Sequence, residues 1–229
     1  MRLLKEIGEL ADEMGYPAFI VGGTVRDLLL GTKNIDIDIV VEGDAIKLGK
    51  VFAEKMFADI IIHKYFGTCS VTTKAGERID FATARRETYK RPGAMPTVEF
   101  SSLKDDLSRR DFTVNAMAIS INDNNCGKLI DFFGGEKDLA SKHIRVLHDK
   151  SFIDDPTRIF RAVRFEKRFG FAIERRTLKL IKDAIKKEMP GKVSRGRVKK
   201  ELDLIDKEKN KLNMLNRLEE LNLWRYAAL

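Results

Sequence analysis

The segment 35–41, Ile-Asp-Ile-Asp-Ile-Val-Val, constrains the fold of this chain more strongly than any other. Its β-branched residues predict a strand, and side chains along a strand point alternately to its two faces. Asp36 and Asp38 therefore share one face. The residues predicted to point the other way, into a core, are Ile35, Ile37, Ile39 and Val41. A strand with one apolar face has to pack in a sheet, so the segment predicts a sheet-containing domain.

The first 135 residues alternate between helical and strand patterns. The predicted helices are 2–14, 44–57 and 103–108, and the predicted strands are 18–21, 35–41, 59–63, 67–73, 77–82 and 114–121. Gly22-Gly23 predicts a tight turn, after which Thr24 would cap a helix that runs to Leu30. The predicted fold class is α+β, with a mixed sheet of about five strands.

The rest of the chain has a different character. Two prolines, a glycine and many charges predict a long mobile loop at 84–104. Strand signals then stop, and from Pro156 onward the pattern is mostly helical. We therefore predict two domains, at 1–135 and 136–229, the second of them all-helical.

The composition limits the class of protein. Of the 229 residues, 43% are hydrophobic and 34% are charged, which is typical of a globular protein. The apolar runs are far too short to span a bilayer, and the N-terminus shows no signal peptide, so no membrane partner is expected. Cys69 and Cys126 are isolated in the sequence. They favour a reduced, cytoplasmic setting.

The net charge of +8 is unevenly distributed. Residues 161–229 carry 20 Lys/Arg and 10 Asp/Glu, whereas the rest of the chain carries 23 and 25. A basic C-terminal third indicates a polyanion partner such as RNA, or alternatively a solvated, lysine-rich helical surface. Charge alone does not separate these two interpretations.

Three acids are candidate catalytic residues. Asp36 and Asp38 share a strand face, and Asp80 lies on another predicted strand. Adjacent carboxylates stay ionised when a cation joins them, and Mg²⁺ prefers carboxylate and phosphate oxygens. Such a site suits phosphoryl transfer, with Asp80 as a third carboxylate that draws a proton from an attacking hydroxyl. The alternative interpretation is an exposed polar strand face.

The turn at Gly22 and Gly23 strengthens the first interpretation. Backbone amides at the start of the following helix are suited to phosphate oxygens. Arg26 lies in the first turn of that helix and can add a charge-assisted contact. An ordinary turn between a strand and a helix is the alternative, but the turn and the acids lie within 17 residues of each other.

Five motifs together resemble those of class II tRNA nucleotidyltransferases, the CCA-adding enzymes, and the related bacterial poly(A) polymerases. Motif A is Gly22-Gly23-Thr24-Val25-Arg26-Asp27 with Asp36-Ile37-Asp38, and motif B is Arg109-Arg110-Asp111-Phe112-Thr113-Val114-Asn115-Ala116. Motif C is Asp131-Phe132-Phe133-Gly134-Gly135, motif D is Asp154-Asp155-Pro156-Thr157-Arg158 with Arg161 and Arg164, and motif E is Val193-Ser194-Arg195-Gly196-Arg197. The resemblance covers nearly the whole chain.

The resemblance implies a polymerase-β-like head, a helical neck and a role for each motif. Asp36 and Asp38 would bind Mg²⁺. The residues that would contact the nucleotide's triphosphate and sugar are Gly22, Gly23, Arg26, Arg110 and Asp111.

Motif D would select the base. Asp155 and Arg158, three residues apart at a helix start, would select C and A, while Arg161 and Arg164 would shape the pocket or hold phosphate. Asp155 is also suited to capping the helix that Pro156 opens. Motif D departs from the family at Asp154, where glutamate is usual.

The implied reaction is template-independent transfer of CMP or AMP from CTP or ATP to the 3′ end of tRNA, with release of pyrophosphate. The loop at 84–104 corresponds to one that the family uses to switch from C to A, so CCA or A addition is favoured over CC addition. Poly(A) synthesis and a non-catalytic RNA-binding subunit are the alternatives. Family members usually continue into body and tail domains, and this chain ends at Leu229. The expectation is a head and neck portion, with a second chain as one source of the missing region.

Overall fold

The computed structural model describes residues 2–32 and 36–227, so the predicted core position of Ile35 lies outside the described residues. The chain divides into two compact units. The first, here called the sheet unit, consists of 1–87, 98–110 and 114–136. The second, here called the helical unit, consists of 88–97, 111–113 and 137–229.

Within 2–32 and 36–131, the structure describes four α-helices and nine strands, besides three short 3-10 helices. The helices are α1 (Arg2–Glu13), α2 (Gly23–Leu29), α3 (Ala45–Met56) and α4 (Leu103–Ser108). The strands are β1 (Ala18–Val21), β2 (Asp36–Val41), β3 (Asp59–His63), β4 (Thr68–Thr72), β5 (Arg78–Thr83), β6 (Arg85–Thr88), β7 (Thr97–Phe100), β8 (Met117–Ser120) and β9 (Leu129–Asp131).

Seven of these strands form one mixed sheet in the order β3-β4-β5-β2-β1-β8-β9. β2 and β5 are parallel, and the other described pairings in this sheet are antiparallel. The predicted α+β class is confirmed, with seven strands where about five were predicted. The short strand β9 gave no signal of its own, since its three residues are only half-buried.

The burial of β2 does not follow the predicted alternation, because Ile37 and Asp38 are both half-buried. Asp36 is exposed, whereas Ile39, Val40 and Val41 are all buried. β2 lies near the centre of the sheet, between β5 and β1. The carboxylates therefore lie at the open end of a strand whose other end is fixed in the core.

Helix α3 packs on this sheet because its apolar residues recur at helical spacing. Leu48 and Phe52 are fully buried, and the Phe52 ring lies 5.8 Å from that of Phe81 on β5. Asp44 caps the helix by accepting from the Lys47 amide at 2.9 Å, and Phe57 ends it in a left-handed conformation. Burial of one such aromatic side chain contributes roughly 1.5–3 kcal/mol.

The helical unit is built around a long arginine-containing helix. Its elements are α5 (Gly135–Ala140, which begins in the sheet unit), β10 (His143–Ile144), α6 (Ser151–Asp154), α7 (Thr157–Phe169), β11 (Ala172–Ile173), α8 (Arg175–Lys186), α9 (Arg195–Asp206), α10 (Lys211–Glu220) and α11 (Trp224–Ala227). Helices α9 and α10 pack on α7. The all-helical prediction needs one correction, because β10 and β11 form a two-residue parallel pair.

Two further predictions are corrected. Strands β6 and β7 form a two-stranded sheet inside the predicted loop at 84–104, and an ion pair of 2.6 Å joins Arg86 and Glu99. Thr24 lies inside α2 and does not cap it; the capping position belongs to Gly22. Across the described ranges, no helix has the length and apolar character needed to cross a membrane.

Candidate active site

Three carboxylates lie on two neighbouring strands of the sheet unit. Asp38 on β2 is in register with Asp80 on β5, and Asp36 is in register with Arg78. Because the two strands are parallel and in register, side chains at paired positions point to the same face. Asp36, Asp38 and Asp80 are called the acid face below.

A cavity of about 370 Å³ opens beside the acid face. Asp38, Asp80 and Arg110 line it together with Ser70 and Arg78. The Ser70 hydroxyl donates to Asp80 Oδ1, and Arg78 Nε donates to the same oxygen at 3.2 Å. Asp80 is thereby held in one orientation, and its second oxygen Oδ2 is the one offered to a ligand.

The electrostatics of Asp38 favour a cation at this position. Burial raises the pKa of Asp38, the Arg110 guanidinium opposes this, and the neighbouring Asp80 and Asp36 raise the pKa further. The carboxylate form is therefore held under like-charge repulsion. A positive ligand would relieve that repulsion.

The start of α2 is joined to β2 by the side chain of Thr24. Thr24 Oγ1 donates to the Asp36 carbonyl at 3.2 Å and accepts from the Asp38 amide at 3.1 Å. This fixes the backbone of both acids. Gly22 has a φ of 68°, and a Cβ there would lie 2.5 Å from Arg110 Nη1. Only glycine allows both the conformation and the close guanidinium.

Arg26 is buried and paired within the protein. Its Nε donates to Asp27 Oδ1 at 2.8 Å, and its Nη1 donates to Asn115 Oδ1 at 2.5 Å. A Cβ on Gly23 would lie 3.4 Å from Arg26 Nη2, so the guanidinium lies against the turn. Arg26 therefore links the Gly22-Gly23 turn to motif B through Asn115.

The two arginines of motif B share one buried carboxylate. Asp106 Oδ1 accepts from Arg109 Nε at 3.0 Å, and Asp106 Oδ2 accepts from Arg110 Nη2 at 2.9 Å. Burial would raise the pKa of Asp106, but Arg110 and Arg109 outweigh it and hold that pKa below its usual value. Asp106 stays ionised at neutral pH.

The donor set of the acid face fits a divalent ion. Asp36 and Asp38 offer two carboxylates from one strand, and hard divalent cations take such oxygens together with water and phosphate. Within 2–32 and 36–227, no group of three or more His, Cys, Asp and Glu is arranged as a metal site. The fit is therefore to a two-carboxylate site that a ligand's oxygens complete.

In the helical unit, charges are paired with opposite charges. Arg161 donates to Asp111 Oδ2 from Nε at 2.8 Å and from Nη2 at 2.6 Å, and the Asp111 carboxylate raises the pKa of Arg161. Arg161 Nη1 also lies 3.6 Å from Glu201 Oε1. Arg164 is buried between Glu201 and Glu208, at 3.9 Å and 3.7 Å. Burial lowers the pKa of Arg164.

The predicted base-selecting residues lie at the junction of α6 and α7. Asp155 Oδ1 accepts from the Thr157 amide, the first of α7, at 3.0 Å, but the capping position itself belongs to Pro156, one residue later than predicted. The same oxygen forms a 2.8 Å ion pair with Arg197 Nη2. Arg158 is buried and donates from Nη1 to Ser151 Oγ at 2.8 Å. Asp155 and Arg158 are therefore both fixed by hydrogen bonds within the helical unit.

Arg197 of motif E connects this junction to the segment 88–97. Its Nη1 donates to the Gly93 carbonyl at 3.1 Å while Nη2 pairs with Asp155. Gly93 has a φ of 69°, and a Cβ there would lie 2.8 Å from the Lys192 carbonyl oxygen. The centre of the predicted loop is thus packed within the helical unit.

The structure brings the predicted residues together in two groups. Asp38, Asp80 and Arg110 line one cavity, and Gly22 contacts Arg110. Asp111 and Arg161 form an ion pair in the helical unit. The polar residues that sequence reasoning missed are Ser70, Asp106 and Glu201. The i, i+4 spacing of Asp106 and Arg110 was a usable signal for one of them. Thr24, Asn115 and Arg197 stood in the predicted motifs, but the contacts that they make here were not predicted.

The chain belongs to the poly(A) polymerase head domain family, whose sequence pattern matches residues 18–145. Nucleotidyltransferases of this family typically use a divalent metal ion. The fold and the acid face are consistent with that membership.

Named relatives match nearly the whole chain. An A-adding tRNA nucleotidyltransferase from Geobacter sulfurreducens is 46% identical over 224 residues, which is 98% of this chain and 26% of the relative. A solved CCA-adding enzyme, in an apo form, has a TM-score of 0.94 and 46% identity over 98% of this chain and 53% of its own. A tRNA nucleotidyltransferase complexed with a primer tRNA and an incoming ATP analog has a TM-score of 0.87 and 45% identity over 95% of this chain and 60% of its own. The chain spans about a quarter to three fifths of the length of these proteins.

Proposed function

We propose that this chain transfers CMP or AMP from CTP or ATP to the 3′ end of tRNA and releases pyrophosphate. The observation that carries the proposal is the acid face, on which two parallel strands in register hold three carboxylates, two of which, Asp38 and Asp80, line one cavity. The names of the similar proteins, A-adding and CCA-adding, support this substrate class. A cytoplasmic location is part of the same proposal.

Asp36 and Asp38 would hold Mg²⁺, which supplies neutralisation of the negative charge that develops during phosphoryl transfer. Asp80 takes the proton from the RNA 3′ hydroxyl. The 3′ oxygen then forms a bond to the α-phosphorus, and the bond from that phosphorus to pyrophosphate breaks with the electron pair leaving on pyrophosphate. Ser70 and Arg78 keep Asp80 oriented for this role. Positioning supplies most of the rate.

The triphosphate is proposed to lie against motifs A and B. Gly22 and Gly23 give the backbone access that a side chain would block. Arg110 lines the cavity and presents a guanidinium suited to phosphate or sugar oxygens. Arg26, whose guanidinium lies against Gly23, is proposed to complete this contact.

Residues 1–135 are proposed to be the catalytic head, and 136–229 the neck that selects the base and binds RNA. Asp155 accepts and Arg158 donates hydrogen bonds, which together can match the pairing edge of C or A. Asp111 and Arg161, joined by a two-bond ion pair, would contact the sugar and shape the pocket, with Arg164 behind them. The 20 Lys/Arg of residues 161–229 support an RNA partner.

The acid face is tested by substitution. We expect Asp36→Ala and Asp38→Ala each to reduce incorporation of labelled CTP and ATP into tRNA by more than about a thousandfold, as loss of a charge-stabilising group does. Asp59→Ala is the matched control, because Asp59 is an exposed acid on edge strand β3 of the same sheet. Turnover near that of the control in either variant would contradict the assignment and favour a non-catalytic RNA-binding subunit.

Poly(A) synthesis is the second candidate, because the matching family is described as the poly(A) polymerase head domain. Product length separates the candidates. The protein is incubated with Mg²⁺, CTP and ATP, and with tRNA transcripts ending before C, after C and after CC. One added A indicates an A-adding enzyme, completion of CCA from each transcript indicates a CCA-adding enzyme, and a long A tail indicates a poly(A) polymerase.

A further inference from the structure

Five residues of alternating charge form a chain of ion pairs in the sheet unit. Glu87 on β6 pairs with Arg85 at 3.2 Å and with Arg109 at 3.0 Å. Asp106 on α4 pairs with Arg109 at 2.6 Å and with Arg110 at 2.9 Å. The order along this ion-pair chain is Arg85, Glu87, Arg109, Asp106, Arg110. One end lies on β6, and the other lines the cavity of the acid face.

Asp106 is the carboxylate that fixes the cavity end of the ion-pair chain. Its side chain is 0% exposed, and each oxygen serves a different arginine, Oδ1 for Arg109 and Oδ2 for Arg110. A buried carboxylate with two guanidinium partners has little rotational freedom. Its position on α4 is set by the cap of that helix, where Ser102 accepts from the Asp105 amide.

The Arg110 guanidinium lies close to Gly22, and few described contacts hold it there. Its Nη1 lies where a Cβ of residue 22 would be only 2.5 Å away, directly against the glycine turn. Its Nε is buried and has no hydrogen-bond partner in the described part of the chain. The described hydrogen bond that holds the guanidinium is therefore the one from Nη2 to Asp106.

Loss of the Asp106 charge would leave Arg109 and Arg110 without their shared counter-ion. Two half-buried guanidiniums with no carboxylate between them repel each other, and a charge that is withdrawn from water without a partner is unfavourable. Arg109 still has Glu87. Arg110 has no such second acid among the described ion pairs, so it is the residue that moves.

We propose that Asp106 is a positioning residue for nucleotide transfer, whose buried carboxylate holds Arg110 against Gly22 at the edge of the acid face. This inference rests on the proposed function, in which Arg110 contacts the nucleotide. Asp106 itself is fully buried and does not line the cavity, so it would act through Arg110. Glu87 supports this arrangement, because it pairs with Arg109, the other partner of the Asp106 carboxylate.

A double-mutant cycle tests the inference. Asp106→Asn keeps the size of the side chain and removes its charge, and Arg110→Lys keeps a charge but loses the planar fork. We expect Asp106→Asn to raise KM for the nucleotide about tenfold, and kcat to change less. In the Arg110→Lys background, Asp106→Asn should change KM by less than about twofold, because Asp106 acts through Arg110.

Two further variants separate positioning from folding. Asp105→Asn, on the same helix, removes a carboxylate that accepts from Ser101 and bonds neither arginine in the described side-chain hydrogen bonds; its KM should equal that of the unmodified protein. If Asp106→Asn does not fold, as judged by circular dichroism, Glu87→Gln replaces it, with an expected rise in KM of about threefold that Arg110→Lys again removes.

The outcomes distinguish the two proposals. An Arg110→Lys variant with unchanged KM would overturn the proposed role of Arg110, and with it the proposed nucleotide site. An impaired Arg110→Lys variant beside a folded Asp106→Asn variant with unchanged KM would overturn the positioning role alone. Additive effects of the two substitutions would also overturn it, since they show that Asp106 acts independently of Arg110.

Discussion

The acid face of the sheet unit and the arginine-containing helix α7 of the helical unit differ in how their charges are arranged. On the acid face, Asp36, Asp38 and Asp80 gather like charges, and the pKa of Asp38 is raised. On α7, Arg161 and Arg164 lie among Asp111, Glu201 and Glu208, so that each charge has an opposite neighbour. The first arrangement is suited to an added cation, whereas the second has its counter-ions within the chain itself.

This difference indicates what each region contributes to activity and to stability. A cluster of carboxylates is unfavourable for the fold and persists where a ligand compensates it. A network of paired ions fixes the geometry of its members, and it is sensitive to the removal of any one of them. The sheet unit is therefore expected to depend on its ligand for activity, and the helical unit on its ion pairs for stability.

Removal of divalent ions should produce the largest effect. With a chelator present, nucleotide incorporation should fall more than about a thousandfold, because the carboxylates of the acid face would then repel the triphosphate. The unfolding midpoint should not fall in parallel. Radiolabel incorporation and circular dichroism measure the two quantities. Full activity in the chelator, with Mg²⁺ addition causing no change, would show that the acid face works without a cation.

Removal of one acid from the helical unit should have the next largest effect. Asp111→Asn removes the negative charge to which Arg161 donates two hydrogen bonds. The free energy of unfolding should therefore fall by about 3 kcal/mol. Urea denaturation measures the change. Asp203→Asn, an exposed acid on α9, is the control and should alter stability by less than about 0.5 kcal/mol. An equal, small change in both variants would mean that the ion pair contributes little.

The sequence allowed prediction of the local features of both regions. The strand carrying Asp36 and Asp38 followed from its β-branched residues, and the turn at Gly22-Gly23 followed from glycine chemistry. Six of the seven strands of the main sheet were placed within a few residues. These features depend on neighbours along the chain, which the sequence displays directly.

The contacts between distant segments could not be predicted in the same way. Arg26 and Asn115 are 89 residues apart, and Arg197 and Gly93 are 104 apart. Hydrogen bonds of this kind depend on the tertiary fold, and no periodicity encodes them. β6 and β7 were missed because Pro92 and Pro96 mark a loop, although the strands flank that loop on both sides.

Base selection gives a smaller and more specific test. Arg158→Ala should lower the preference between CTP and ATP by about tenfold, since a hydrogen-bonding donor that reads the base is worth roughly one to two kcal/mol. Arg168→Ala, on the same helix but more exposed, should leave the preference unchanged. The ratio of kcat/KM values is the proper measurement, because it does not depend on the folded fraction. An unchanged ratio in Arg158→Ala would contradict the base-selecting role.

The smallest expected effect concerns the pH dependence of stability in the absence of divalent ions. The folded-state pKa of Asp38 is raised, mainly by burial and also by Asp80 and Asp36, above its unfolded value of about 3.8. The folded state then holds this proton more tightly than the unfolded state does. Stability from this group is present at low pH and is lost as pH rises through the raised pKa.

The substitution Asp38→Asn removes the loss of stability that accompanies ionisation of Asp38 as pH rises. In chelator at pH 7, we expect the variant to unfold with a free energy about 0.5–1 kcal/mol higher than the unmodified protein, because like charges on paired strand positions are destabilising by that order. Below pH 4 the two proteins should converge. Asp59→Asn should follow the unmodified protein at every pH. A variant that is less stable than the unmodified protein at pH 7 would show that the Asp38 carboxylate is already compensated within the fold, and would remove the contrast between the acid face and α7.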